Sequence, residues 1–146
     1  MIKSVLVVCT ANICRSPVAA RILKGCCPDL RVESAGLHAL EGHPASEDMT
    51  TIAAETGLSM EGHAARQFTI GLASKYDLIL VMEPEQRAAI MHRAPQISGK
   101  VMLFDHWTGC RGIPDPYTGS LEFNRHVFTK IQEAAKAWAG NISGQN

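Results

Sequence analysis

The stretch VLVVCTANICRSP at residues 5–17 constrains the fold of this chain more than any other part of the sequence. Four apolar residues at 5–8 are typical of a buried strand, which ends at Cys9. After a short gap, Ser16 and Pro17 predict the start of a helix, with the serine as the cap and the proline at the first helical position. The pattern therefore predicts a strand, a tight loop and a helix in direct succession.

A loop of this kind is suited to hold an anion, most naturally a phosphate. Its backbone N–H groups can converge, and the positive end of the helix dipole faces the same point. The same field favours the thiolate form of Cys9 at the floor of the loop. The planar guanidinium of Arg15 at the rim can bind two phosphate oxygens at once. A nucleophile, an anion cradle and a clamp thus fall within residues 9–15.

The Cys-x5-Arg-Ser pattern resembles the signature of protein-tyrosine phosphatases, and its place directly after the first strand resembles their low-molecular-weight class. The Ile-Pro-Asp-Pro-Tyr segment at 113–117 is similar to the Asp-Pro-Tyr loop of that family. Segments 35–40 and 62–67 resemble the family as well, so that the resemblance covers essentially the whole chain. It is greatest to the bacterial members that counteract tyrosine kinases of capsule and exopolysaccharide export.

The resemblance implies hydrolysis of phosphotyrosine through a phosphocysteine intermediate. Cys9 would attack the phosphorus while Asp115 protonates the ester oxygen, and water would then attack the phosphocysteine with Asp115 as the base. Arg15 and the amides of residues 10–16 would stabilise the equatorial oxygens. The implied partner is a phosphotyrosine protein, in the first place a bacterial tyrosine kinase. This chemistry requires no cofactor and no metal.

A general acid is needed because a tyrosine phenolate, with a pKa of about 10, is a poor leaving group. Pro114 and Pro116 restrict the backbone on both sides of Asp115 and keep the segment out of regular structure. An Asp-Pro turn before a helix is common by itself. The resemblance implies more, namely that Asp115 is the acid and that the ring of Tyr117 forms a wall of the cleft.

The other predicted site residues surround the loop. Asn12 tolerates the left-handed dihedrals that a tight cradle needs, and the Ser16 hydroxyl can donate to the Cys9 sulfur. By resemblance, Ser34 and His63 hold Asn12 in place. The residues predicted to bind the phosphate or the rest of the substrate are Thr10, Ala11, Asn12, Ile13, Cys14, Ser16, Leu40 and Tyr117.

Ala11 departs from the family pattern, which usually has glycine at this position of the loop. If the position requires a positive φ, alanine would cost roughly 1–3 kcal/mol. If the position only faces a crowded neighbour, one methyl group is tolerated. The two alternatives make different predictions for the backbone of the loop.

Cys14 also has two interpretations. A tight loop would bring its sulfur within bonding reach of Cys9, which we expect to be an exposed and reactive thiolate. Peroxide would then convert Cys9 to a sulfenic acid, and Cys14 would capture it in a reversible disulfide. Alternatively, Cys14 packs behind the loop as a small hydrophobic residue.

Composition limits the partners and the compartment. The 14 basic and 14 acidic residues give a net charge of zero, which disfavours nucleic acid and anionic membrane surfaces. No apolar stretch is long enough for a transmembrane helix, and the first residues lead into a strand rather than a signal sequence. Five cysteines, an odd number, favour reduced thiols in the cytoplasm over a disulfide framework. The histidines show no metal-ligand spacing with the cysteines.

Apolar runs alternate with helical patterns along the chain, which predicts βαβ units in a single α/β domain over residues 1–146. We expect a four-stranded parallel sheet with helices on both faces and the phosphate loop after the first strand. A flexible tail is predicted from about residue 140. The predicted strands lie at about 4–9, 31–35, 77–82 and 100–104, and the helices at about 17–24 (ended by Gly25), 46–56, 69–75, 84–93 and 119–139.

Two other functions remain open at this stage. Thioredoxin-coupled arsenate reductases share this front loop, but they need a further cysteine pair in the middle of the chain, and none lies between Cys27 and Cys110. A non-catalytic phosphotyrosine-binding module would keep Arg15 but could lose Cys9 or Asp115. Both residues are present, which favours an enzyme.

Overall fold

The computed structural model describes residues 1–143 as an open α/β sheet flanked by helices. The strands are β1 (Ser4–Cys9), β2 (Arg31–Gly36), β3 (Leu78–Val81) and β4 (Val101–Leu103). The helices are α1 (Arg15–Cys26), α2 (Glu47–Glu55), α3 (Ile70–Ala73), α4 (Pro84–Arg93) and α5 (Leu121–Ser143), with a 3₁₀ helix at Pro95–Lys100. All neighbouring strands are parallel, in the order β2-β1-β3-β4. The predicted fold class is confirmed.

Strand β1 is buried along its whole length because helices cover both faces of the sheet. Val5 and Val7 face a core that includes residues of α1, α2 and α5. Leu6 and Val8 face a second core that includes Ile90 of α4. Successive side chains of a strand point to opposite faces, so a continuous apolar run is what a central parallel strand requires.

The order of the strands places the loop after β1 at the functional edge of the sheet. Cys9 pairs with Gly36 of β2 on one side of β1, and Val8 pairs with Val81 of β3 on the other. The chain therefore builds the sheet first to one side of β1 and then to the other. In open α/β sheets, ligands bind at such a switch point, outside the carboxyl ends of the strands.

The structure differs from the predicted helices in α1, at the end of α5 and between α4 and β4. Helix α1 begins at Arg15 and continues through Gly25, and the hydroxyl of Ser16 makes no capping bond because it is bonded inside the loop instead. Helix α5 continues to Ser143, with Ile142 buried, so the predicted tail does not begin at 140. The rest of that tail lies outside the described residues. The 3₁₀ helix was not predicted.

Helix α5 is the longest helix of the described part, with 23 residues. Its buried side includes Phe128, Ile131 and Trp138, and charged residues cover its other side. No helix within residues 1–143 is both long and apolar enough to cross a bilayer. Over the same range, His, Cys, Asp and Glu side chains nowhere form a group of three that could hold a metal ion.

Candidate active site

The loop between β1 and α1 holds the thiol of Cys9 in a buried position. Cys9 is the last residue of β1 and only 2% exposed, so the expectation that its side chain is exposed is wrong. Its sulfur lies 2.9 Å from the hydroxyl oxygen of Ser16 in the first turn of α1. Cys9 nevertheless lines a cavity, together with residues of the Asp115 loop.

Asn12 organises the loop from behind. Its Oδ1 accepts from the backbone N–H of Arg66 (3.0 Å), which fixes the orientation of the amide. Its Nδ2 therefore donates to Ser16 Oγ (2.8 Å) and to Ser34 Oγ (3.0 Å). Because Ser16 Oγ accepts this bond, its own proton can go to the Cys9 sulfur (2.9 Å) or to the more distant carbonyl oxygen of Ala35 (3.5 Å).

The backbone of the loop settles the question about Ala11. The residue with a positive φ is Asn12 (φ 61°), whereas Ala11 does not have one. Asparagine tolerates this region better than alanine does. Gly36 of β2 lies close to this loop, since a Cβ at position 36 would be 2.6 Å from the carbonyl oxygen of Thr10. Ala11 therefore carries no left-handed strain.

His63 supports the same loop from the segment before α3. Its Nε2 lies 2.7 Å from the backbone oxygen of Asn12. A carbonyl only accepts, so Nε2 carries the proton. Burial lowers the pKa of the half-buried imidazole, and the bond to the Asn12 carbonyl opposes this shift only in part. His63 is therefore a neutral donor near pH 7.

Arg15 is held at the other side of the loop and is 1% exposed. Its Nη1 donates to the carboxylate of Glu83 and to the carbonyl oxygen of Ile113 (2.9 Å). Its Nη2 lies 3.7 Å from Oδ2 of Asp115. The buried Nε has no hydrogen-bond partner among the described residues. A buried cation with an unused donor is suited to bind an anion.

Asp115 projects from the loop between β4 and α5, and its side chain is about half exposed. Its Oδ1 accepts from the backbone N–H of Tyr117 (3.1 Å), while Oδ2 faces Arg15. Asn124 of α5 fixes the loop by donating to the carbonyl oxygen of Pro116 (3.1 Å). The carboxyl group of Asp115 thus faces Arg15, and the segment that carries it is bonded to α5 through Asn124.

A cavity of about 70 Å³ joins these groups. Leu40 and Tyr117, which are 40% and 59% exposed, form apolar parts of its wall. The predicted residues that line it are Cys9, Thr10, Ala11, Ile13, Cys14, Arg15, Leu40, Asp115 and Tyr117. The other predicted residues, Asn12, Ser16, Ser34 and His63, lie behind the loop rather than at the cavity.

Cys14 is buried next to the loop as the residue before α1. Burial is the main cause that raises its pKa to about 11, so the group is a neutral thiol near pH 7. All five cysteines of the chain are unpaired in this structure. In this reduced form Cys14 packs behind the loop. A disulfide between Cys9 and Cys14 would belong to an oxidised form of the protein.

Three residues that support the site were not predicted from the sequence. Glu83 pairs with Arg15, the backbone of Arg66 holds Asn12, and Gln86 donates to Thr10 Oγ1 (3.0 Å). A signal for Glu83 existed, because it lies two residues after the end of β3 and the carboxyl ends of parallel strands meet at one edge. Nothing in the local sequence indicates Gln86, which lies 76 positions from Thr10.

A thiol at the floor of an amide loop, a buried guanidinium and a presented carboxyl group suit the class of cysteine-dependent phosphatases. Comparison with known proteins identifies the family. The chain matches the low molecular weight phosphotyrosine protein phosphatase family over residues 4–146. It is 46% identical over 141 residues to the low molecular weight protein-tyrosine-phosphatase Etp of Escherichia coli strain K12, covering 97% of this chain and 95% of Etp.

Solved structures agree with this result. The tyrosine phosphatase Wzb from Escherichia coli K30, in complex with sulphate, matches with a TM-score of 0.95 and 43% identity, over 97% of this chain and 99% of Wzb. Vibrio vulnificus Wzb in complex with benzylphosphonate matches with a TM-score of 0.94 and 43% identity, over the same shares. The chain belongs to the low-molecular-weight phosphotyrosine protein phosphatase family. The predicted family, its bacterial branch and the class of enzyme, a protein-tyrosine phosphatase, are confirmed.

Proposed function

We propose that the chain hydrolyses phosphotyrosine in proteins through a phosphocysteine intermediate formed on Cys9. The observation that carries this proposal is the 70 Å³ cavity, which brings together the thiol of Cys9, the guanidinium of Arg15 and the carboxyl group of Asp115. The related Wzb proteins bind sulphate and benzylphosphonate, an anion and an aryl compound with a phosphonate group. Both are compatible with a site for aryl phosphates.

In the first step, the Cys9 thiolate forms a bond to phosphorus and the bond to the tyrosine oxygen breaks. Asp115, in its protonated form, gives its proton to that oxygen, so that the leaving group departs as neutral phenol. Arg15 and the backbone amides of residues 10–16 stabilise the three equatorial oxygens. Glu83 and the Ile113 carbonyl occupy Nη1 of Arg15, which leaves Nε and Nη2 to donate to the phosphate.

In the second step, water attacks the phosphocysteine and the bond from phosphorus to sulfur breaks. The Asp115 carboxylate accepts a proton from the water, and the Cys9 thiolate leaves. The proton of the Ser16 hydroxyl, directed at the sulfur 2.9 Å away, stabilises the thiolate as it forms. Inorganic phosphate is then released and the enzyme is restored.

The walls of the cavity favour an aryl phosphate over an alkyl phosphate. Leu40 and Tyr117, from two different loops, and the buried Ile13 give the cavity its apolar lining. The ring of phosphotyrosine can contact these side chains while its phosphate reaches Cys9. A phosphoserine side chain is shorter and offers no ring for them to contact. We therefore expect phosphotyrosine peptides to be hydrolysed faster than phosphoserine peptides of the same sequence.

The natural substrate we propose is a bacterial tyrosine kinase that controls exopolysaccharide production. The support for this part is the likeness to the bacterial members of the family, including Wzb and Etp. We infer that the enzyme acts in the cytoplasm, since its five thiols are unpaired. Incubation of the autophosphorylated kinase of the same organism with the enzyme should remove its phosphotyrosine, and an unrelated phosphotyrosine protein should be dephosphorylated more slowly. Equal rates would contradict this assignment.

The test of the reaction itself is the substitution Cys9→Ser. Turnover of an aryl phosphate should fall by about 10⁴ or more, because a serine hydroxyl does not ionise in this cradle. Binding of inorganic phosphate, measured by calorimetry, should persist because Arg15 and the loop amides remain. The assay contains a metal chelator and no thioredoxin, so turnover by the native chain excludes a thioredoxin-dependent reductase and a non-catalytic binding module. Retained turnover by Cys9→Ser would contradict the phosphocysteine.

We also propose that Cys14 protects Cys9 from irreversible oxidation. Peroxide would convert the Cys9 thiolate to a sulfenic acid, and the Cys14 thiol would displace water from it to form a disulfide. A thiol reductant would then restore both residues. After peroxide and dithiothreitol, the native chain should recover activity and Cys14→Ser should not. Equal recovery would leave Cys14 as a packing residue.

A further inference from the structure

Gln86 lies in the first turn of α4, outside the residues that sequence analysis singled out. It is 5% exposed, and its carboxamide makes three hydrogen bonds. Oε1 accepts from the backbone N–H groups of Met82 (2.9 Å) and Glu83 (3.0 Å). Nε2 donates to Oγ1 of Thr10 (3.0 Å). A buried glutamine that uses both ends of its amide in this way is fixed in position.

The orientation of this amide follows from its partners. Two of them are backbone N–H groups, which only donate, so the oxygen of Gln86 must face them. The nitrogen must therefore face Thr10, and the Thr10 hydroxyl must accept. The bond between α4 and the thiol loop consequently has one direction, and a side chain without an amide cannot reproduce it.

Each end of the Gln86 amide contacts a residue that adjoins a proposed catalytic group. Thr10 follows Cys9 directly and lines the active-site cavity. Glu83, whose N–H is bound by Gln86, carries the carboxylate that receives Nη1 of Arg15. The side chain of Gln86 thus connects the loop that carries Cys9 to Glu83, the partner of Arg15.

We propose that Gln86 is a positioning residue of the reaction, which holds the Thr10 end of the loop and the Glu83–Arg15 pair in one fixed geometry. This inference rests on the roles proposed above for Cys9 and Arg15. A misplacement of about 1 Å in such a site can lower turnover by roughly 10²-fold. The alternative is that Gln86 only stabilises the start of α4, in which case its loss lowers thermal stability and leaves turnover unchanged.

The experiment compares substitutions at both ends of the Thr10–Gln86 bond. Thr10→Val removes the acceptor and keeps the shape, whereas Thr10→Ser keeps the hydroxyl. Gln86→Met removes all three bonds at similar volume. Turnover of an aryl phosphate should fall about three- to tenfold in Thr10→Val and roughly 10–100-fold in Gln86→Met. Thr10→Ser should retain most of the native rate. The double variant Thr10→Val/Gln86→Met should be no slower than Gln86→Met alone.

Ile97→Val in the 3₁₀ helix is the matched control, because it lowers stability and belongs to the second core, which includes no residue of either loop. All rates are measured at a temperature at which each variant is folded. Native turnover in Gln86→Met, or losses that multiply in the double variant, would overturn the proposal. If Gln86→Met does not fold, the comparison of Thr10→Val with Thr10→Ser tests the proposal. Equal turnover of these two variants would overturn it. Absence of turnover in the native chain would instead overturn the proposed function.

Discussion

The loop that carries Cys9 and the loop that carries Asp115 meet at one cavity, but they are built in opposite ways. In the first loop, Asn12 and Ser16 are fully buried, and their polar groups bond to one another and to the sheet. In the second loop, the carboxyl group of Asp115 is about half exposed and Tyr117 is 59% exposed. The second loop is held on both sides of Asp115, where the carbonyl oxygen of Ile113 accepts from Arg15 and that of Pro116 accepts from Asn124.

The difference corresponds to what each loop has to bind. Phosphate has the same shape in every substrate, so fixed donors in a buried loop serve all of them. The leaving group and the protein around it belong to the substrate, so the second loop must be open to a large molecule. Substitutions in the buried loop should therefore affect every substrate, and those in the exposed loop should discriminate between substrates.

The largest effect we expect in the exposed loop is that of Asp115→Asn. An amide cannot protonate the leaving oxygen, so turnover of phenyl phosphate should fall by roughly 10²–10⁴-fold. An aryl phosphate whose phenol is much more acidic needs no proton, and its turnover should fall far less. The measurement is a comparison of kcat for the two substrates. Equal losses for both would contradict the role of Asp115 as general acid.

In the buried loop, Asn12→Ala should lower kcat by roughly 10–100-fold for both of these substrates alike. It removes the bonds to Ser16, Ser34 and Arg66, and it places alanine at a φ of 61°, which costs roughly 1–3 kcal/mol of stability. Asn12→Gly removes the same bonds but tolerates that φ. Urea unfolding should therefore show Asn12→Gly to be the more stable variant, and the reverse order would contradict the backbone argument.

Tyr117→Ala should have a smaller effect that depends on the substrate. Loss of the contact between its ring and that of phosphotyrosine costs about 0.5–1.5 kcal/mol, which corresponds to about a two- to twelvefold higher KM for a phosphotyrosine peptide. Inhibition by inorganic phosphate, which touches only the cradle, should be unchanged. A parallel loss of phosphate affinity would show that Tyr117 supports the buried loop instead of the substrate.

These two regions also differ in how far sequence could predict them. The buried loop is contiguous, and an apolar strand followed by a Cys-x5-Arg pattern indicated its place and its helix. The error at Ser16 has a physical reason, because its hydroxyl has better partners in Asn12 and Cys9 than in the start of α1. At the end of α5, Ile142 continues the apolar stripe of Trp138, so a signal for the longer helix was present.

The contacts that support the site are harder to predict from the sequence. The bonds from Glu83 to Arg15 and from Gln86 to Thr10 join residues 68 and 76 positions apart. They depend on the order of the strands, which brings the carboxyl ends of β1 and β3 together. A periodic pattern reports the face of an element but not its neighbour in the sheet, so such pairs follow only from the folded structure.

The smallest effect concerns pH and the buried loop. Burial lowers the pKa of His63 below its ordinary value of 6.5, so the folded state favours the neutral imidazole that donates to Asn12. As the pH falls below 6.5, the imidazole therefore binds a proton more readily in the unfolded state than in the folded state. The contribution of His63 to the free energy of unfolding is therefore fully present above about pH 6.5 and is lost as the pH falls through the lowered pKa of the folded state.

His63→Gln keeps a donor that can reach the Asn12 carbonyl but does not titrate. Between pH 7.5 and pH 5, taken as a window of about one unit or more on either side of the ordinary pKa, the free energy of unfolding should fall more in the native chain than in this variant. His92→Gln, an exposed position on α4, is the control and should behave like the native chain. If His63→Gln has the same pH profile as the native chain, the imidazole is not held neutral by the fold. A weaker pH dependence in His63→Gln alone would show that acid weakens the fold through the bond from His63 to the buried loop.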